Sequence, residues 1–350
     1  MEDALEHFFA SRNTAVLLGL IAVILYVLGK AADKLVGEAV VLAERSGLPK
    51  VIIGATIVSL GTTSPEAAVS VLAAIQGQPE LALGNAVGSI ICDAGLILGV
   101  AILISPPFLD RKIVNRQGWI QFGAGVLLVL MSWPWGVGPW IEGKPLEGGG
   151  NLHQAAGVLF VFLLGVYLWL SVKWAKESGT TEKQVDELEE HAGDIDAPLP
   201  LVIGKLLGSV AVVVAMSHLL IPAIGVAAER MGVPPAIVAA TLVAFGTSLP
   251  ELVTAVTASR KGHGDLAVGN VIGADILNVL FVAGLSAAVT PAGLDAPPSF
   301  FKLQFPAMLT ILVVFRVAIF VSGDRLKRPF GVILLALYAV YTVLNFVLLG

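Results

Sequence analysis

The sequence predicts an all-α polytopic membrane protein, ten transmembrane helices arranged as two inverted five-helix repeats, and three observations carry that prediction. Of 350 residues, 56% are hydrophobic and 13% charged, with mean hydropathy +0.88, whereas a soluble domain carries about a quarter charged residues. The apolar residues fall into long runs near the ~20 residues a membrane helix needs. At an offset of 185 positions, Ala43–Gly99 matches Ala228–Gly284 at 23 of 57 positions without a gap. Composition excludes a water-soluble globule. A net charge of −5 offers no basic excess for a nucleic-acid partner, and one cysteine, Cys92, excludes an intrachain disulfide or a thiolate metal cluster. The partner that composition implies is the lipid bilayer, and no obligate protein partner is evident.

Taken in order, the chain opens on acidic Met1-Glu-Asp-Ala-Leu-Glu, which lacks the basic region of a cleaved signal peptide, so the run 14–30 reads as a retained first span. Further spans follow at 51–75, 80–104, 118–138 and 153–172, then 200–224, 236–258, 266–290, 301–322 and 331–349, each bounded by polar or Gly/Pro-rich breaks. Between 136 and 151, with Trp133, Trp135 and Trp140 near its start, lies an outer interfacial loop with an aromatic belt. From Lys173 to Ala197 eight acids stand among almost no apolar residues. Their spacing does not follow the alternating ligands of an EF-hand, so the stretch reads as a solvated cytoplasmic linker. The chain thus divides into a first half, 1–172, a linker, 173–199, and a second half, 200–350.

Ten spans put both termini on one side. With the termini outside, the inner connections collect 15 of the 21 basic residues, the outer segments hold Arg12, Lys144, Arg230 and Lys302, and Lys205 and Arg316 fall inside spans. The positive-inside rule therefore favours both termini outside, and the expected location is the cell (inner) membrane. Each repeat copy belongs to a set of five spans, and an odd number makes the copies cross in opposite directions. Inverted repeats with interrupted helices are the architecture of alternating-access carriers, with the substrate at the repeat interface.

Within the repeats, the residues that agree are those a helix in lipid avoids. Gly61-Thr62-Thr63-Ser64-Pro65-Glu66 and Gly246-Thr247-Ser248-Leu249-Pro250-Glu251 each set a glycine and a helix-breaking proline in mid-span. The carbonyls so freed are tolerated at membrane depth where they line a cavity. One glutamate follows each break, and an ionisable residue there costs at least about 2.5–3.5 kcal/mol on insertion scales. The bland alternative is a structural carboxylate paired with a buried base such as Lys205 or Arg316, but neither base is duplicated and the glutamates are. Paired carboxylates among hydroxyls and carbonyls form an oxygen-only cage suited to a hard cation such as Ca²⁺. Glu66 and Glu251 are accordingly the predicted cation site.

Eighteen residues on stand Gly84-Asn-Ala-Val-Gly-Ser-Ile-Ile-Cys-Asp93 and Gly269-Asn-Val-Ile-Gly-Ala-Asp-Ile-Leu-Asn278. Glycines four apart permit close helix approach. On a helix Asn85, Ser89 and Asp93 share one face, as do Asn270, Ala274 and Asn278. Asn85 and Asn270 fit an interhelical hydrogen-bond seam and direct liganding equally well. For Asp93 the charge favours a functional role, while Asp275 lies off the stripe and is a candidate support behind the ligands.

At these motifs the chain resembles the cation/calcium exchanger superfamily, and within it the prokaryotic sodium/calcium exchangers, whose paired repeats read G-T-S-x-P-E and then G-N-x-x-G-S-N. The resemblance covers both repeats and the ten-span layout. It implies a secondary active antiporter exchanging Ca²⁺ for Na⁺, with no cofactor, in which the second and third spans of each half form a four-helix centre and the first and sixth spans slide across it. By motif position it implies that Glu66 and Glu251 hold Ca²⁺ with oxygens of Thr62 and Thr247. Na⁺ would be held by the same glutamates with Ser59, Thr63, Ser89, Ala244 and Ser248, the alanine through its carbonyl, and Asp93 with Asn278 would form a midplane pair. The sequence departs from the pattern at Ser64, at Ile90 and Asp275 in place of asparagine, and at Ala274 in place of serine. The last removes a hydroxyl from one Na⁺ flank, which keeps H⁺/Ca²⁺ or K⁺-dependent antiport as the alternative. A cation channel is the reading from another class, against which the inverted, interrupted helices argue. An enzyme is not expected: Ser217 and His218 are neighbours on one span and cannot face each other, and there is no H-E-x-x-H.

Overall fold

The computed structural model describes residues 2–107, 111–135, 149–178, 197–231 and 247–349. A short helix, α1 (Glu2–Ala10), leads into α2 (Thr14–Ser46), capped by the Asn13 side chain accepting the Val16 N–H. With 33 residues, α2 is about 50 Å long, and it corrects the expected end at residue 30. Lys30, Asp33 and Lys34 are polar but do not break a helix. What ends it is Gly47, at φ 64°, in a left-handed cap with Leu48 N–H bonded back to the Ala43 carbonyl.

Next come α3 (Lys50–Ile75), α4 (Pro79–Ile104), α5 (Arg111–Ser132), strand β1 (Gly150–Leu152) and α6 (Gln154–Ser178). The remainder comprises α7 (Leu199–Arg230), α8 (Leu249–Arg260), α9 (Gly264–Val289), strand β2 (Leu294–Ala296), α10 (Phe300–Val321) and α11 (Arg328–Leu349). Eight of these helices are long and apolar enough to cross a membrane. Of the two other expected spans, α5 lies at 111–132 instead of 118–138. It stops where Trp133-Pro134 cannot continue a helix, and Asn115, Arg116, Gln117 and Gln121 lower its apolarity, the two glutamines being buried in the protein. The span expected at 236–258 is described only from residue 247, where α8 begins at Leu249. Trp140, the acidic stretch 179–196 and Ala244 lie outside the described residues. Helix α6 runs to Ser178 and α7 to Arg230, both beyond the expected bounds.

The interruption expected at Gly61–Pro65 takes another form. α3 runs unbroken through Pro65, and its irregularity is a π-helical stretch at Gly54–Val58, just upstream. A wider turn absorbs the backbone mismatch that would otherwise break the helix. Two further π-helical stretches, Cys92–Ile97 in α4 and Asn278–Ala283 in α9, stand at nearly equivalent positions of the two sequence repeats.

The centre is α9, in which Leu266 to Leu277 are all buried. A helix apolar on every side needs protein all round it, and α3, α4, α5 and α8 supply it. Glycine makes the approach to α3 close: a Cβ on Gly54 would lie 2.6 Å from the Leu266 carbonyl oxygen, and one on Gly269 or Gly273 would collide with the backbone of Val51 or Ala55. The helix ends form two faces. On one, Arg45 donates to the Ala197 carbonyl, Lys50 meets His263 at 3.4 Å, Lys261 pairs with Asp33 at 3.3 Å and Leu326 N–H reaches the Pro107 carbonyl. On the other, β1 pairs antiparallel with β2, Gly150 opposite Ala296, and Arg230 donates to the carbonyls of Ala10 and Arg12.

Candidate functional site

Four segments converge beside the centre. α3 carries Ser59, Thr62, Thr63 and Glu66, and α4 carries Ser89 and Asp93. The turn before α8 and its first helical turn carry Ser248 and Glu251, and α9 carries Asn278. All nine are buried, both glutamates at 1% exposure. Thr63 Oγ1 donates to Glu251 Oε1 at 3.3 Å, joining α3 to α8, and Asn278 Nδ2 donates to Asp93 Oδ2 at 3.4 Å, joining α9 to α4. Thr62 also faces Glu251, Ser248 stands beside Asp93, and Glu66 lies within electrostatic range of both Glu251 and Asp93.

The two glutamates differ in setting. Glu66 sits inside α3, one residue past Pro65, whose missing N–H leaves the Gly61 carbonyl without its helical donor. Glu251 sits in the first turn of α8 after Pro250, where the backbone N–H groups of a helix start favour negative charge. Each retains a buried oxygen, Oε2, with no hydrogen-bond partner among the described residues, as do Asp93 Oδ1, Asn278 Oδ1 and Ser248 Oγ. A buried oxygen left without a donor is costly, and oxygens clustered around carboxylates are the donor type that hard cations take. The bases named as alternative partners are engaged elsewhere: Lys205 lies 3.8 Å from Glu38, and Arg316 donates to Asn115 and stacks on Trp119.

The asparagines part company. Asn85 donates to Ser70 at 2.9 Å and accepts from Thr247 at 3.3 Å, which makes it the seam between α3, α4 and the start of α8 and holds Thr247 by its hydroxyl. Asn270, its repeat counterpart, is fully buried with neither side-chain atom bonded. The cause is readable in the repeat: the position matching Ser70 is Ala255, which offers no hydroxyl. Asp275 is buried behind the site with its Oδ2 accepting from Gln121 of α5.

Sequence reasoning missed Gln121, as well as Gln117, which donates to Ser171, and Tyr167, which donates to the Ala55 carbonyl at 3.1 Å inside the π-helical stretch of α3. The available signal was two glutamines four apart in an otherwise apolar helix. Val210 of α7 rests on Gly61, 2.8 Å from where a Cβ would be, so the long helix α7 touches α3 one residue before Thr62.

A family model described as sodium/calcium exchanger protein matches residues 16–173 and 201–347. The inner membrane protein YrbG of Escherichia coli is 34% identical over 87% of this chain and 89% of its own length. The sodium/calcium exchanger MaX1 of Methanosarcina acetivorans is 31% identical over 94% of this chain and 97% of its own. A solved structure of the sodium-calcium exchanger NCX_Mj shares the fold, with TM-score 0.74 at 23% identity, covering 95% of this chain and 99% of that one. Two long matched segments that take in both repeats, and relatives alike from end to end, lead to one statement: the chain belongs to the sodium/calcium exchanger protein family.

Proposed function

We propose that this protein is a secondary antiporter that exchanges Ca²⁺ for Na⁺ by alternating access, built from two inverted five-span halves, 1–172 and 200–350, around a linker at 173–199, with both termini outside. The observation that carries the reading is the meeting of Glu66 and Glu251 in one buried oxygen cluster, without a basic partner among the described residues. Ca²⁺ is held by both carboxylates with oxygens of Thr62 and Thr247. Na⁺ takes the same carboxylates with flanking oxygens of Ser59, Thr63 and Ser89 on one side and Ala244 and Ser248 on the other, while Asp93 and Asn278 bridge the middle. Because the two ions need the same carboxylates, they exclude each other, and exclusion couples their movements. The protein moves when the cluster's charge is compensated, since bare carboxylates at midplane depth are unfavourable. α2 and α7 are the elements that slide, with Val210 riding over Gly61 beside the ligands.

The test is Ca²⁺ uptake into proteoliposomes under an imposed Na⁺ gradient and, separately, a pH gradient. Uptake is expected to follow the Na⁺ gradient, to saturate, and to fall to background in Glu66→Gln and in Glu251→Gln, with both variants still folded and inserted. Near-normal flux in either variant overturns the site. Flux that follows pH and ignores Na⁺ replaces sodium with protons as the counter-ion, and flux without any counter-ion dependence returns the channel reading.

A further inference from the structure

The mechanism above leaves one charged cavity unused. Between α2 and α7 lies a groove of about 340 Å³ whose rim is Lys30, Lys34 and Lys205 and whose floor includes Val27, Ala31 and Val212. Three lysines facing one lipid-side groove are unexpected in helices this apolar. Among the described residues, only Lys205 of the three has a carboxylate within ion-pair distance, Glu38 at 3.8 Å. Asp33, on the same helix, is taken by Lys261, and among the described residues no carboxylate lies within ion-pair distance of Lys30 or Lys34. The groove is open where it needs volume: a Cβ on Gly208, which also lines it, meets nothing within 4 Å.

The depth of the lysines is set by the helix. Lys30 and Lys34 lie about 24 and 30 Å along α2 from Thr14 at 1.5 Å per residue, one hydrocarbon thickness of about 30 Å from its outer end. The lysines therefore stand at the inner interface, while Val27 and Val212 lie deeper, toward the bilayer centre. A basic rim at headgroup level above an apolar floor at acyl level is the outline of one phospholipid, and basic pockets between membrane helices on the cytoplasmic side are made for anionic headgroups.

We infer that the groove between α2 and α7 is a binding site for an anionic phospholipid of the inner leaflet. Its phosphate sits between Lys30 and Lys34, with Lys205 completing the rim, and an acyl chain lies along Ala31, Gly208 and Val212. The inference rests on the inside placement of this face but not on the exchange reading. Under the exchange reading, in which these two helices slide, the bound lipid also ties them together, so that the lipid composition of the membrane sets the ease of that motion.

The experiment measures association of spin-labelled phosphatidylglycerol and spin-labelled phosphatidylcholine with the full chain in phosphatidylcholine vesicles at low salt. The wild-type protein is expected to prefer phosphatidylglycerol by about 25-fold, two unneutralised lysines at about fivefold each. The double variant Lys30→Gln/Lys34→Gln is expected to lose that preference. Gly208→Leu, which keeps every lysine and fills the groove, is expected to lose bound phosphatidylglycerol as well. Equal association of the two lipids with wild type, or an unchanged preference in either variant, overturns the site, as does full displacement of the lipid by millimolar inorganic phosphate, which would make it a site for the free ion. Since the readout is lipid association and not Ca²⁺ flux, its failure leaves the exchange reading standing, and the failure of exchange leaves it intact.

Discussion

Asp93 and Asn278 occupy equivalent positions of the two repeats and meet in one hydrogen bond of 3.4 Å, so the site needs one carboxylate there and has placed it on the α4 side. Exchanging them, Asp93→Asn with Asn278→Asp, moves the charge by only the length of that contact. We expect the swapped protein to retain Ca²⁺ flux within about tenfold, while Asn278→Asp alone, which sets two carboxylates face to face, lowers it further. Proteoliposome flux of the three proteins checks the order. Behind them, Gln121 is the hydrogen-bond donor to buried Asp275, and Gln121→Leu leaves that carboxyl unsatisfied. The expected cost is about 1–2 kcal/mol, read as a lower Tm of the detergent-solubilised protein and restored in part when Asp275→Asn is added to Gln121→Leu. The glutamates were legible in the sequence because the duplication marks them twice, whereas Thr63 and the Asp93–Asn278 pair, which differ between the copies, came from the family resemblance. Gln121 was not, since it occurs once and its partner lies 154 positions away on a helix that no local pattern connects to it. Asn270 was half legible, because only the loss of Ser70's counterpart at Ala255 separates its setting from that of Asn85.

The elements owe their arrangement to where backbone touches backbone. α3 and α9 approach through Gly54, Gly269 and Gly273, and at each an added methyl meets main-chain atoms, which cannot rotate away. Gly269→Ala is therefore expected to push the helices apart and cost about 1–3 kcal/mol. Gly204→Ala, on the open face of α7 with nothing within 4 Å, should be neutral or stabilise slightly, because alanine is the better helix former. Thermal unfolding of the two variants separates contact from propensity, and equal effects would mean that the close approach does not bear on stability. The sequence motif located Gly269 and Gly273 but not Gly54, and it misjudged the form of the break at Gly61–Pro65. Proline forbids one hydrogen bond without dictating how the helix adjusts, and in α3 the surroundings favour a π turn at Gly54–Val58, with Tyr167 bonded to the Ala55 carbonyl there. Helix ends were misjudged for a related reason: hydropathy marks where a span leaves the apolar layer, whereas the helix continues until a residue such as Gly47 caps it.

For the whole molecule, the contacts at the helix ends sort the described loops into two faces, and the basic residues distinguish them. Arg45, Lys50, Lys261 and Arg111 all make their contacts on one face, whereas the β1–β2 ribbon and the contacts of Arg230 belong to the other. In the proposed orientation, which follows the positive-inside rule, the first face is the cytoplasmic one. A single native cysteine makes this testable with little background, because Cys92 is buried, at 2% exposure, and a buried thiol in apolar surroundings reacts poorly. Ala292→Cys places a thiol beside the ribbon, at a position exposed in the fold, and Gly323→Cys places one in the turn between α10 and α11, with nothing within 4 Å of the new Cβ. In intact cells a membrane-impermeant maleimide should label the first variant and spare the second until the membrane is permeabilised, with wild type unlabelled in both states. The reverse pattern would turn the molecule over. It would then carry most of its basic residues on the outside, and the lysine-rimmed groove between α2 and α7 would face the outer leaflet, where anionic headgroups are not concentrated.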